Sequence, residues 1–334
     1  MTGVRTVGSW SGRKLAHEAF VYDDDRAVRE RCVPFVQEAL DRDEAVVVVA
    51  GAHVRGLLEE EFGDRCARFA VFEAAEKAWA GGGQTLAAYR KAMKPLHATG
   101  RPWRLIEEPL WLSLPGGERW SRFEAVANEM FADYRYYSLC LHDRRQLAPA
   151  LIADQLRTHP FVWDGTSPVE NPDYVGTDRF LRSVEPAWTP APSRAARVVI
   201  TDLLRALPDL KSAVETSSCG RRDDLELAVY ELVTNALKAA GTAEVRHWRD
   251  DGAEVWEVAD AGPGFHDAAA GYRPPSENLL GSRGLWIARS LADEATVRPH
   301  GPGTAVRLWF RLHEAARPQD ADRREMGHSR DGHG

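Results

Sequence analysis

The chain has 334 residues, 44 % of them hydrophobic and 28 % charged, with a formal net charge of −7 at pH 7. That length favours two domains with ordinary cores, and an acidic balance without a domain-wide basic excess argues against direct nucleic-acid binding. No apolar run is long enough for a membrane span and no signal-peptide pattern opens the chain, so it reads as soluble and cytoplasmic.

In the N-terminal half, helices are predicted over 26–41, 53–62, 84–99, 119–134 and 147–157, and strands over 45–50, 67–72, 103–106 and 136–141. Short apolar runs alternating with helices predict a parallel sheet with helices on both faces. The uniformly apolar AVVVVA at 45–50 suits a central strand. The loop after it reads GAHVRG and lacks the GK[ST] of a phosphate loop, so no nucleotide site is expected in this half. Asp23–Asp25 reads as a helix-capping turn rather than a metal site. Gly81–Gly83 reads as a flexible loop, and His142 as a satisfied loop histidine at a strand end. Cys32, Cys66, Cys140 and Cys219 are scattered without a CxxC pair and read as reduced thiols, a redox pair being the sharper alternative.

RWSRFEAVANEMF (119–131), SLCLHD (138–143) and THPFVW (158–163) resemble the MEDS sensory domain, over roughly 14–175. The resemblance implies a RecA- or KaiC-like α/β fold, here without a Walker A motif, that senses an unknown small-molecule signal. Trp103, Trp111, Trp120 and Trp163 are expected mainly in the core. Residues 176–193 carry three prolines in eight positions and read as a semi-rigid linker. Residues 194–215 read as one helical run broken by Pro208.

ELVTNALKAA (231–240) then places an acid, a carboxamide and a cation on one helix face, because Glu231, Asn235 and Lys238 lie at helical spacing. Leu225, Ala228, Val229, Leu232, Ala236 and Ala239 form the adjoining apolar stripe, expected against a sheet. A carboxamide oxygen is a good ligand for Mg²⁺, and a neighbouring carboxylate can orient or deprotonate a hydroxyl. Strands are predicted over 243–249 and 253–259 around a DDG turn. Asp260 ends the second strand, where its carboxylate can accept a hydrogen bond from an exocyclic amine. Gly262 and Gly264 allow positive φ and close backbone approach. Residues 266–280 suit a mobile lid. Gly281 and Gly284 flank the start of the amphipathic run Leu285–Leu291, a helix N-terminus that can present N–H groups to phosphate, with Arg283 beside it. TAVRLWFRL (304–312) alternates as a strand, and the charged tail 314–334 reads as disordered.

ELVTNALKAA, DAGPG (260–264), GSRGL (281–285) and GT (303–304) resemble, in order, the four ATP-binding boxes of the GHKL ATPase family, over about 194–313. The resemblance implies a Bergerat α/β sandwich with a mixed sheet, binding ATP and Mg²⁺ under a flexible lid. It implies that Glu231 is the general base, that Asn235 is the metal ligand and that Asp260 reads adenine. It also implies that Gly281, Arg283, Gly284 and Leu285, with Gly303 and Thr304, hold the nucleotide. Within the family, compact size and GSRGLWIARSLAD are similar to anti-sigma factors that double as serine kinases. That likeness implies a sigma factor and a STAS-type anti-anti-sigma protein as partners, and it allows a homodimer. Two alternatives stand beside it, an ATP-gated binding module without phosphoryl transfer and a sensor histidine kinase. The second is disfavoured because the one candidate phosphoacceptor pair, His17-Glu18, lies far from any helical dimerisation hairpin.

Overall fold

The computed structural model describes residues 14–74, 82–114, 116–185, 188–250, 252–264, 267–273 and 283–312, together with Trp10 and Gly12. The tail 314–334, Gly81, Gly281 and most of the lid lie outside these residues. The chain divides into two compact units, Met1–Thr189 with Gly264–Leu291, and Pro190–Pro263 with Ala292–Gly334. No described helix is long and apolar enough to cross a membrane.

The first unit is a seven-stranded sheet in the order β3-β2-β4-β5-β1-β6-β7. Its strands are β1 (Ala16–Tyr22), β2 (Ala45–Ala50), β3 (Val71–Ala74), β4 (Trp103–Glu107), β5 (Tyr136–Asp143), β6 (Phe161–Trp163) and β7 (Pro168–Glu170). All pairs are parallel except β6 with β7. The helices are α1 (Asp25–Asp41), α2 (Ala52–Phe62), α3 (Gly82–Ala98), α4 (Trp120–Met130), α5 (Pro149–Thr158) and α6 (Thr177–Ser183). Strand alternation splits the core in two. Tyr137, Leu139 and Leu141 of β5 join Val28, Phe35 and Val36 of α1 in one cluster. Trp103, Leu105 and Tyr136 join Phe123 and Val126 of α4 in the other. Trp103, Trp111 and Trp120 are buried, and Trp103 stacks on Tyr136 with ring centroids 4.3 Å apart. Trp163 is half-buried beneath the Arg31 guanidinium, 4.6 Å from its centre.

Local chemistry accounts for several element boundaries. The Asp24 carboxylate caps α1 by accepting from the Ala27 N–H at 2.7 Å. The N–H of Gly51, at the start of α2, donates to Glu108 Oε2 at 2.8 Å, and Tyr22 donates to Glu108 Oε1 at 3.0 Å. A carboxylate of the chain itself thus occupies the place where a phosphate loop would hold an anion.

Four expectations need correction here. Residues 63–68 form a 3₁₀ turn, so the strand expected at 67–72 begins at Val71. The helix expected over 119–134 ends at Met130. The first half of the expected linker is α6, whose Phe180 and Leu181 are buried in the core. His142 lies inside β5, fully buried, and neither ring nitrogen has a hydrogen-bond partner among the described residues.

The second unit is a five-stranded sheet in the order β11-β12-β10-β9-β8. Its strands are β8 (Ala196–Ile200), β9 (Ala243–Asp250), β10 (Ala253–Ala259), β11 (Glu294–His300) and β12 (Gly303–Arg311). Every pair among the described residues is antiparallel, so the mixed sheet expected here from the resemblance is not found in this unit; parallel and antiparallel pairs occur together in the sheet of the first unit. Helices α7 (Leu203–Glu215) and α8 (Arg222–Ala240) complete this unit, whereas α9 (Arg283–Leu291) belongs to the first. The run 194–215 divides at Thr201 rather than at Pro208. Val198, Val199 and Ile200 favour a strand, and Asp202 caps α7 by accepting from Leu204 N at 2.9 Å. Pro208 sits inside α7. A buried pair, Arg307 and Glu257 at 2.5 Å, joins β12 to β10.

Candidate nucleotide site

Helix α8 buries Leu225, Ala228, Val229, Leu232, Val233 and Ala236. The stripe is the expected one with Val233 in place of Ala239, which is exposed at the helix end. There Ala239 meets the turn after β10 instead of a strand. Glu231 and Asn235 are half-buried and Lys238 is exposed. None of the three has a hydrogen-bond or ion-pair partner among the described residues, so the acid, the carboxamide and the cation are all available to a ligand.

Asp260 follows β10 directly. Its N–H donates to the Thr304 carbonyl at 2.9 Å, which continues the β10–β12 ladder by one residue. Its Oδ1 accepts from the Gly262 N–H at 2.8 Å, a local turn that fixes the carboxylate's direction. A Cβ on Gly262 would lie 2.9 Å from the Ala239 Cβ and 3.1 Å from its carbonyl oxygen. A Cβ on Gly303 would lie 2.1 Å from the Asp260 carbonyl oxygen. Three separate sequence motifs therefore meet at one turn: the end of α8 packs on Gly262, and the start of β12 packs on Asp260.

Of the two turn glycines expected to use positive φ, one does and one does not. Gly264 has φ 68° and uses glycine's conformational freedom. Gly262 does not adopt a positive φ, and its need for glycine is spatial. Thr304 is buried behind Asp260.

The structure brings Glu231, Asn235, Lys238, Asp260, Gly262, Gly303 and Thr304 into one unit. Gly264, Arg283, Gly284 and Leu285 fall in the other, and Gly281 lies outside the described residues. Arg283 is exposed at the first position of α9, Gly284 is buried and Leu285 packs against Gly271. Arg289 fixes the same helix by donating to the Ala270 carbonyl at 3.0 Å and lying 4.1 Å over the Tyr272 ring.

A cavity of about 430 Å³ opens at the other end of α8, lined by residues 218–224. It lies some 13 residues from Asn235, about 20 Å along the helix, so it is separate from the Asp260 cluster. The contact of Ala239 with the Gly262 turn escaped the sequence reading, because contact between a helix end and a turn has no periodic signal.

Two family models match the chain. The MEDS model, a MEthanogen/methylotroph, DcmR Sensory domain, matches residues 16–160. The Histidine kinase-like ATPase domain model matches residues 189–310 and spans α8, the Asp260 turn and β12. No curated protein matches the chain. The chain thus joins a MEDS sensory domain at its N-terminus to a histidine kinase-like ATPase domain of the GHKL type at its C-terminus.

Proposed function

We propose that this chain is an ATP-dependent anti-sigma regulatory factor. In this reading it sequesters a sigma factor and phosphorylates a Ser or Thr of a STAS-type anti-anti-sigma protein. The MEDS unit, read as a RecA/KaiC-type core without its phosphate loop, biases the choice between partners.

The observation that supports this most is a free carboxylate, Glu231, one helical turn from a free carboxamide, Asn235, on the helix whose end abuts Asp260. Asp260 accepts a hydrogen bond from the adenine amine. The Asn235 Oδ1 would hold Mg²⁺, which would supply charge neutralisation at the phosphate oxygens. Lys238, Gly303 and Thr304 complete the nucleotide contacts of this unit. Glu231 takes the proton of the attacking hydroxyl. A new bond forms from the hydroxyl oxygen to the γ-phosphorus as the bond to the β-bridging oxygen breaks, and ADP leaves. Positioning and charge neutralisation supply most of the rate in such transfers. A base adds about 10²–10⁴-fold.

Incubation with γ-labelled ATP, Mg²⁺ and candidate STAS proteins tests the reading. Label should appear on a partner Ser or Thr and be lost in Glu231→Ala while ATP binding persists. ATP binding with no transfer to any partner would leave an ATP-gated binding module. Label on a histidine of the chain itself would mean a histidine kinase.

A further inference from the structure

In the N-terminal unit, His17, Glu124, Cys140 and His159 converge from four elements. His17 is on β1, Glu124 on α4 and Cys140 on β5, and His159 follows α5. All four are at most 4 % exposed, and one ligand atom from each lies within 4.8 Å of the other three. We infer that this cluster is a buried binding site for one divalent transition-metal ion of the zinc class, ligated by His17 Nε2, His159 Nε2, Cys140 Sγ and Glu124 Oε1.

The hydrogen bonds around the cluster fix which atoms face inward. Asn128 Nδ2 donates to the Thr158 carbonyl at 2.7 Å, which turns Asn128 Oδ1 toward His17. Oδ1 therefore accepts from His17 Nδ1–H at 2.9 Å. His159 Nδ1–H donates to the Gln155 carbonyl at 2.6 Å. Both imidazoles are thereby held with the Nε2 lone pair pointing into the cluster, the arrangement by which proteins orient metal-binding histidines.

Those lone pairs meet a thiol and, in opposition, a carboxylate oxygen. His17 Nε2 lies 3.0 Å from Glu124 Oε1 and 3.3 Å from Cys140 Sγ. His159 Nε2 lies 3.9 Å from the same Glu124 oxygen and has no hydrogen-bond partner among the described residues. A shared cation resolves this opposition of electron pairs. Tetrahedral zinc, with bonds of about 2.0–2.3 Å, sets its ligand atoms roughly 3.3–3.8 Å apart, close to these separations. The charges also suit a buried site. One thiolate and one carboxylate cancel a divalent cation, and the imidazoles are neutral, so no net charge is buried. Ser138 Oγ, 3.5 Å from Cys140 Sγ, supplies an outer contact to the sulfur. Two-nitrogen, one-sulfur, one-oxygen donor sets suit zinc and neighbouring metals.

This inference concerns the sensory unit and stands independently of the nucleotide reading. The test uses the full-length protein, stripped with chelator and titrated with Co²⁺ as a coloured stand-in for Zn²⁺. One Co²⁺ should bind per chain, giving strong visible absorption of a four-coordinate ion and a near-ultraviolet thiolate-to-cobalt band, and Zn²⁺ should displace it. In Cys140→Ser the thiolate band should vanish and affinity should fall at least tenfold, while Cys32→Ser and Cys219→Ser should leave both unchanged. Should Cys140→Ser lose its circular-dichroism signature of folding, Glu124→Gln serves instead. It should retain the thiolate band, alter the visible absorption and weaken binding at least tenfold. No stoichiometric binding, meaning that only protons bridge these groups, would overturn the inference. So would a thiolate band surviving in folded Cys140→Ser, or a Glu124→Gln protein indistinguishable from the parent.

Discussion

At Gly303 one added carbon would sit 2.1 Å from the Asp260 carbonyl oxygen, and backbone on both sides leaves nothing flexible to yield. Gly303→Ala is therefore expected to cost about 1–3 kcal/mol of stability, read as a lower urea midpoint, and to weaken ATP binding by displacing Asp260. An unchanged midpoint would show that the β12 start is not packed on this turn. Asp260→Asn tests the carboxylate with less disturbance, because an amide oxygen can still accept from the Gly262 N–H. A hydrogen bond to a charged group contributes about 1.5–3 kcal/mol. Calorimetry should thus show ATP affinity reduced about tenfold or more, with discrimination against GTP reduced alongside. Equal selectivity in parent and variant would remove Asp260 from adenine recognition. The residue types at this site were legible in the sequence, because Asp260, Gly262 and Gly303 lie in short motifs with fixed spacing. The reason Gly262 must be glycine was not legible, since it depends on where α8 ends.

Among elements, the strands marked by a continuous apolar run or by a hairpin turn between them were the readable ones. The apolar run of β2 is buried from Val46 to Ala50, and the predicted bounds match. Strands β9 and β10 likewise follow the expected hairpin. β1 was missed because AHEAFVY places His17 and Glu18 in the middle of a strand, where polar residues usually argue for a loop. Both are buried for specific reasons: Glu18 pairs with Arg31 at 2.5 Å, and His17 belongs to the four-residue cluster. β11 was missed for a similar reason, since EATVRPH contains a proline and three charged or ionisable residues. It lies at the edge of its sheet, where such residues are tolerated. The β9–β10 pair carries a pH-dependent element as well. His247 stacks on Trp256 with centroids 4.6 Å apart, and burial lowers its pKa although Glu254 acts in the opposite direction. The unfolded chain takes up this proton near pH 6.5 and the folded chain only at lower pH. Stability should therefore fall as pH drops from about 7 to 5. His247→Phe should flatten that dependence of the urea midpoint, and a slope identical to the parent's would exclude His247 as a contributor.

For the molecule as a whole, the sequence distinguished a sensory half from a nucleotide half, and both family matches fall on those halves. The partition of α9 with the first unit could not be read from the motifs, because sequence order places 281–285 among the ATP-binding boxes whatever they pack against. The buried His–Glu–Cys–His cluster was equally hidden, its members separated by up to 142 positions and joined only by the parallel pairing of β1 with β5 and the helices above. The central claim is that the C-terminal unit binds Mg²⁺-ATP through Asn235 and Asp260, and titration calorimetry on the purified chain tests it directly. ATP with Mg²⁺ should bind once per chain, weaken when Mg²⁺ is chelated, and lose that magnesium dependence in Asn235→Ala. Failure of the parent protein to bind adenine nucleotide at any magnesium concentration would contradict the account.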